Sequence, residues 1–321
     1  MERDFLLLIL MYFYTMQTVL ITGGTGMVGQ ALAKQFIANG YEVIILSRSP
    51  QWSSRLHLSY AKWDVEKGEI DLDALAKANI IVHLAGEGVA DKRWTVKRKQ
   101  AIVDSRVRSG NLLVKALSEN KYQVKTFIAA SAIGWYGPDT AASLEHGFVE
   151  TDTADNSYLG NTCQLWEQST AAVANMGIRL GTLRIGIVFN KKGGALAEFL
   201  KPAKLALATI LGTGKQIVSW IHYQDLCKMI QYAIETPAVQ GVYNAVAPNP
   251  VTNKKLVLTI AKNTYPIYFP SFVPGFLLKI ILGEMSIEVL KSAKVSAQKI
   301  QDAGFVFDYP NVEEAIIDLI K

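Results

Sequence analysis

The chain has 321 residues, half of them apolar and 19% charged, enough to bury a core as one large or two smaller domains. Its formal net charge of +5 is mild and its 33 lysines and arginines are scattered, which argues against nucleic acid as a partner and for an anionic small molecule. Two cysteines, Cys163 and Cys227, and four histidines, His57, His83, His146 and His222, show neither metal-ligand spacing nor a disulfide framework, the usage of a reducing cytoplasm.

Near the start, Phe5–Tyr14 is a run of ten apolar or aromatic residues. A bilayer needs about 20, and the basic n-region and cleavage site of a secretory signal are missing. Residues 1–15 are therefore read as a non-native or disordered extension, with the folded chain starting at Met16 and no membrane partner expected. A monotopic anchor is the other reading.

Val19-Leu20-Ile21 predicts a strand buried on both faces of a parallel sheet. Gly23, Gly26 and Gly29 follow in G-x-x-G-x-x-G spacing, with Gly24 as an extra, and then a stripe of Val28, Ala31, Leu32 and Phe36 predicts a helix closed by Asn39-Gly40. Strand, glycine turn and helix in this order make a phosphate-binding site, because glycines admit a close pyrophosphate and the helix N-terminus offers unpaired N–H groups. Gly23, Gly24, Thr25, Gly26, Met27 and Val28 are its candidate residues; a purely structural turn is the bland alternative.

Glu42–Leu46 is a second strand, ending at Ser47-Arg48-Ser49, where a dinucleotide fold reads the adenosine ribose. An NAD site wants an acid there. Ser47 and Arg48 instead supply donors suited to a 2′-phosphate, so NADP (NADPH) is expected in preference to NAD. Tyr60–Val65 is a third strand, with Asp64 a candidate partner for the adenine amine. After a short helix at Asp71–Ala78 comes a fourth strand, Asn79–Gly86, whose Leu84, Ala85 and Gly86 leave room for a cofactor. His83 inside it reads as a core histidine. Asp91–Asn120 is a long helical region whose start (Lys92, Arg93, Lys97, Arg98) is either a phosphate-holding or a solvated basic face.

Lys125–Ile133 is a fifth strand, Tyr158–Met176 a helix and Leu180–Phe189 a sixth strand. Six strands alternating with helices predict an α/β fold, a Rossmann-type doubly wound parallel sheet with ligands at its C-terminal edge. Beyond Asn190 the pattern changes: an apolar helix at Ala195–Leu211, a strand at Ile217–Asp225, a helix at Leu226–Glu235 and a strand at Val242–Val246. A helix at Thr252–Asn263, the apolar, proline-punctuated Phe269–Leu282 and a closing helix at Val312–Lys321 follow. This predicts a smaller C-terminal α/β lobe. The expected division is a cofactor domain over 16–247, with 190–216 contributing to the substrate lobe, and a lobe domain over 248–321.

Several segments together resemble the extended short-chain dehydrogenase/reductase superfamily: Thr22–Gly29, His83-Leu84-Ala85-Gly86, Tyr136-Gly137, Trp220–Asp225 and Tyr243-Asn244-Ala245. Arg93-Trp94, Ser131–Gly137, Leu282–Met285, Ala303-Gly304-Phe305 and Tyr309-Pro310 are similar to an atypical, nucleoside-diphosphate-sugar epimerase-like subgroup with its own short C-terminal domain. The resemblance covers nearly everything after Met16. It implies a nucleotide sugar or other small-molecule substrate, and a homodimer formed by the helices near Asp104–Leu117 and Tyr158–Met176.

The chain departs from that superfamily where the chemistry sits. The superfamily uses a Ser or Thr to orient substrate and a Tyr-x-x-x-Lys pair, one helical turn apart, for proton transfer. No Tyr-x-x-x-Lys occurs in this sequence. With the helix aligned on Glu167, the tyrosine position falls on Leu159 and the lysine position on Cys163; the serine position falls on Ala132. Ser131, Tyr136, Tyr158 and His222 are the candidates to replace the missing proton carrier, with Ser131 or Tyr136 expected to be the more exposed to substrate. Two functions remain open: an NADP-dependent epimerase or oxidoreductase with atypical catalytic residues, or a non-catalytic NADP(H)-binding redox sensor or regulatory protein.

Overall fold

A computed structural model describes residues 16–320, so the extension expected over residues 1–15 lies outside the described residues. The expected first strand is β1 (Thr18–Thr22), and the apolar runs that follow give β2 (Glu42–Ser47), β3 (Leu58–Asp64), β5 (Ile80–His83), β6 (Thr126–Ala132) and β7 (Arg179–Ile185), with a short β4 (Glu69–Ile70) between. Further on lie β8 (Ile187–Phe189), β9 (Leu207–Leu211), β10 (Ile217–Val218), β11 (Trp220–His222), β12 (Gly241–Ala245), β13 (Val251–Thr252) and β14 (Phe269–Val273). The main sheet has eight strands in the order β12-β7-β6-β5-β1-β2-β3-β4. Every neighbouring pair in it is parallel except β3 and β4, which form a hairpin. The winding reverses between β1 and β5, and at such a switch point the strand ends open into a crevice.

Alternation along the strands divides the core. On one face Val19, Ile21, Val43, Ile45 and Val82 pack against α1 (Met27–Ala38), through Leu32 and Phe36. On the other, Leu20, Ile44, Leu46 and Ile81 pack against α2 (Leu72–Lys77) and α3 (Val96–Glu119). Side chains at i and i+2 share a face and those at i+1 take the other, so a strand apolar throughout feeds two layers. The helix expected from Asp91 begins at Val96 because Thr95 caps it, its hydroxyl accepting from the Arg98 N–H at 3.1 Å. Next come a short α4 (Ala141–His146) and α5 (Tyr158–Ala171).

The C-terminal half departs from expectation in three places. The strand read over Leu180–Phe189 breaks at Gly186, where a Cβ would stand 2.8 Å from the Ser219 carbonyl oxygen; β8 then leaves the main sheet to pair with β11. The helix read over Ala195–Leu211 is α6 (Gly194–Ala203) followed by β9, which pairs in parallel with β14. A continuously apolar run cannot distinguish helix from strand by periodicity; the pairing with Phe269–Val273 decides it. The strand read over Ile217–Asp225 stops at His222, and α7 (Tyr223–Glu235) starts three residues earlier than expected.

A separate core gathers Phe189 of β8 and Trp220 of β11 with Leu196 of α6, Leu256 of α8 (Asn253–Thr264) and Ile316 of α12 (Val312–Ile320). Between these last two helices run α9 (Gly275–Leu282), α10 (Ser286–Leu290) and α11 (Gln298–Asp302). Among the described residues no helix is long and apolar enough to cross a membrane.

Candidate functional site

The glycine turn after β1 is built by steric exclusion. Gly23 has φ +69° and lies so close to the end of β5 that a Cβ would stand 2.9 Å from the Leu84 carbonyl. At Gly29 a Cβ would meet the Gly23 oxygen at 2.4 Å, a contact no side chain survives. Gly26 caps α1 without a side-chain hydrogen bond, so the N–H groups of the first turn are left for a ligand. The Met27 side chain lies beside Gly193 and Gly194 at the start of α6.

At the end of β2 the Ser47 hydroxyl accepts from the Ser49 N–H at 3.2 Å, a tight turn that leaves Arg48 exposed. Asp64, ending β3, has one carboxylate oxygen engaged by the N–H groups of Glu66 and Lys67 at 3.1 and 3.2 Å. Across the crevice, the Leu84 and Ala85 N–H groups donate to the carbonyl and hydroxyl of Thr22, both at 3.2 Å. This fixes the strand end to the glycine turn. His83 is a core residue, its Nδ1 2.7 Å from the Thr22 hydroxyl, with burial holding its pKa down to about 4.

Glu87 and Arg98 guard the rim: Arg98 donates to the Glu87 carboxylate at 2.5 Å and to the Gly88 carbonyl at 2.6 Å. That hydrogen bond, above all, holds the Glu87 carboxyl below the usual range, with Arg48 and Lys92 adding to it across the crevice. Tyr158, at the first position of α5, is half-buried; its hydroxyl donates to the Lys99 carbonyl at 3.0 Å and its ring meets Trp94 edge-on. Burial pushes the Tyr158 phenol above its ordinary pKa.

Ser131 and Tyr136 were expected at the exposed sheet edge, and the structure corrects this: they are 1% and 0% exposed. The Ser131 hydroxyl donates to Glu167 at 2.7 Å, and Arg184 takes both oxygens of the same carboxylate at 2.8 and 3.1 Å. Arg184 also donates to the Tyr136 hydroxyl at 3.1 Å and lies 3.6 Å over the Trp135 ring. Tyr136 in turn donates to the Asn244 side-chain oxygen at 2.7 Å, and burial pushes its phenol up to about 12. The fourth candidate, His222, is fully buried away from these three. Its Nδ1 accepts from the Gln224 N–H to cap α7, and its ring packs 3.9 Å from that of Tyr309. His222 Nε2 lies 3.3 Å from Asp318, and burial lowers its pKa to about 4. Beside it, Asp225 accepts from the N–H groups of Asp308 and Tyr309 at 2.8 and 2.9 Å, which fastens the C-terminal segment.

Residues 19–246 match the NAD dependent epimerase/dehydratase family, and residues 273–319 match a domain of unknown function, DUF1731. The chain belongs to the NAD dependent epimerase/dehydratase family. Among similar proteins is the epimerase family protein YfhF of Bacillus subtilis, 36% identical over 304 residues that span 94% of this chain and 97% of the relative. The human epimerase family protein SDR39U1, solved with NADPH, superposes with a TM-score of 0.83 at 26% identity, covering 95% of this chain and 99% of that one. A nucleoside-diphosphate sugar epimerase from Corynebacterium glutamicum gives a TM-score of 0.75 at 28% identity over 95% of this chain and 58% of that one. The expected resemblance to an extended short-chain dehydrogenase/reductase with its own C-terminal domain is thereby borne out, as is the doubly wound sheet.

Within the epimerase/dehydratase fold, two buried charged residues were not among the sequence candidates: Arg184 and Arg106. Each carried a signal. Arg184 interrupts the apolar run LGTLRIGIVF, and Arg106 falls on the buried stripe of α3 with Ile102, Ser109 and Leu113. A charge on a buried face is the informative exception to apolar patterning. Among the described residues no group of three or more His, Cys, Asp or Glu is arranged to hold a metal ion.

Proposed function

We propose that this chain is an NADP(H)-binding epimerase or oxidoreductase of its family, acting in the cytoplasm on a sugar nucleotide or another anionic small molecule. The glycine cradle carries the reading: at Gly23 and Gly29 the backbone has no room for a side chain, and the uncapped first turn of α1 faces the crevice end. Ser47 and Arg48 stand where a 2′-phosphate is read, and Asp64, Leu84, Ala85 and Gly86 complete the bed. The human relative solved with NADPH and the C. glutamicum protein named as a sugar-nucleotide epimerase support the cofactor and substrate class.

The nicotinamide, when bound, supplies the hydride chemistry; the chain holds it, orients it and excludes water. Tyr158 is proposed as the group that reaches substrate, since it alone of the four candidates keeps more than a trace of exposed surface. A phenol held above pKa 10 is a poor proton carrier at neutral pH, so turnover is expected to be slow. Ser131 and Tyr136 are assigned to positioning Glu167 and Arg184. The division into 16–247 and 248–321 belongs to this proposal. The contribution of 190–216 to the substrate lobe is supported by the β9–β14 pairing, which joins residues 207–211 to 269–273.

The burial of Ser131 and Tyr136, with no Tyr-x-x-x-Lys in the sequence, favours a second reading, a non-catalytic NADP(H)-binding sensor. Calorimetry with NADPH and NADH, followed by turnover on a panel of carbonyls and sugar nucleotides, separates the two. NADPH is expected to bind about ten- to a hundredfold tighter, the value of a charge-assisted hydrogen bond to phosphate. Arg48→Ala should remove most of that preference and leave NADH binding unchanged; an equal loss for both would place Arg48 in the fold. NADPH binding without turnover on any substrate leaves the sensor reading.

A further inference from the structure

Arg106 is 8% exposed, and no carboxylate among the described residues comes within ion-pair distance of it. Its Nη1 donates to the carbonyls of Glu87 and Ile102 at 3.0 and 2.9 Å, while Nη2 and Nε make no hydrogen bond to the described residues. The Trp166 ring lies 4.7 Å beneath the guanidinium carbon. A guanidinium withdrawn from water is costly unless charge or hydrogen bonds repay it. Here one nitrogen is satisfied by backbone, and the fork formed by the other two is left over. The neighbouring Glu87 carboxylate is already taken by Arg98.

The location of that spare fork is specific. A Cβ at Gly86 would stand 3.1 Å from the guanidinium carbon and 3.3 Å from Nη2, so the cation lies directly under the end of β5. On its other side it reaches α5, close enough to act electrostatically on Cys163 and Tyr158. Leu159 and Cys163 face the end of β6, where a Cβ on Gly134 would meet them at 3.2 and 3.4 Å. A dinucleotide whose pyrophosphate rests on α1 lays one half across β2 and β3, and the other across β5 and β6. Arg106 is therefore on the nicotinamide side, beside the α5 positions that align with the absent tyrosine and lysine.

We propose that Arg106 is the cation that grips the nicotinamide-side ribose of the bound dinucleotide, reaching from α3 into the place left by Cys163 on α5. The Nη2–Nε fork presents parallel N–H donors, the geometry that suits two adjacent oxygens such as a vicinal diol. Gly86 leaves the guanidinium uncrowded, since a Cβ there would press on it at 3.1 Å.

This proposal rests on NADP(H) binding, and the test keeps the two apart. NADPH and adenosine 2′,5′-bisphosphate, which lacks the nicotinamide ribose, are titrated calorimetrically against wild type, Arg106→Met and Arg106→Lys, with melting temperatures measured alongside. Arg106→Met is expected to weaken NADPH about tenfold or more and leave the bisphosphate unchanged. Arg106→Lys should fall between. The melting temperature of ligand-free Arg106→Met should change little, because an unpaired buried cation is lost, while the rise produced by NADPH shrinks. Unchanged NADPH affinity, or parallel loss of both ligands, overturns the role of Arg106. So does an Arg106→Met protein that fails to fold together with an Arg106→Lys protein that binds both ligands alike more weakly. If wild type binds neither ligand, the cofactor reading itself falls.

Discussion

Arg184 shows how a charged side chain ends up inside a parallel sheet. It pairs with both oxygens of Glu167, donates to Tyr136 and covers Trp135, so its desolvation is offset on several sides at once. Removing one member leaves the other buried and uncompensated. Glu167→Ala should destabilise the fold by about 3–5 kcal/mol, measured by urea denaturation, and adding Arg184→Met should recover part of the loss. A Glu167→Ala protein as stable as wild type would mean that the pair is solvated in practice. His83 makes a pH prediction at the same scale. Its folded pKa of about 4 lies below the 6.5 of the unfolded chain, so between those values the unfolded state binds more protons. Stability is full above pH 6.5 and is lost as the pH falls toward 4, by on the order of 3 kcal/mol; His222 acts in the same direction. Melting curves from pH 7 to 4.5 should show this decline, and His83→Asn should flatten it.

Among the elements, α1 and the turn before it are the most tightly specified. Leu32 and Phe36 are fully buried against the sheet, and Gly29 sits against the Gly23 carbonyl. Gly29→Ala forces a Cβ to within 2.4 Å of that oxygen, so the turn must open. The expected result is loss of measurable NADPH binding together with a lowered melting temperature; retained affinity would show that the turn is not the phosphate cradle. The β9 segment is the opposite case. Residues 204–211 carry no periodicity of their own, and their strand exists because Leu207–Leu211 finds Phe269–Val273 alongside.

At the scale of the whole molecule, Trp220 stands inside the core that α6, α8 and α12 share with β8 and β11. It is fully buried, stacks on Phe189 with ring centroids 5.2 Å apart, and donates from its indole N–H to the Asn249 carbonyl at 3.1 Å. Truncating it removes a large buried ring from that core. Trp220→Ala should cost about 3–5 kcal/mol, and far-UV circular dichroism and cofactor release should report the same shifted midpoint. Two separate transitions would mean that the lobe melts alone. On the crevice side the lobe is held more lightly, through the exposed Lys99–Glu284 pair and the Arg93 bond to the Ile280 carbonyl. Such surface contacts contribute about 1 kcal/mol or less.

The succession of strands along the chain and the glycine turn after β1 were legible because each depends on neighbours a few residues apart. Apolar runs, glycines excluded from bearing a Cβ, and a cap such as Thr95 are local chemistry written in consecutive residues. What the sequence could not disclose was decided by contacts between segments far apart. Ser131 lies 36 residues from Glu167, and Tyr136 lies 108 from Asn244, so their burial as a network appeared only once the chain had folded. Likewise, the burial of His222 comes from Tyr309 and from Asp318 of α12, both distant in sequence. Arg106 stood in plain view on an apolar stripe, but only folding brings its guanidinium against Gly86 and the Trp166 ring. Propensity and pattern act along the chain, whereas the desolvation and pairing of a charge are set by what folding brings against it.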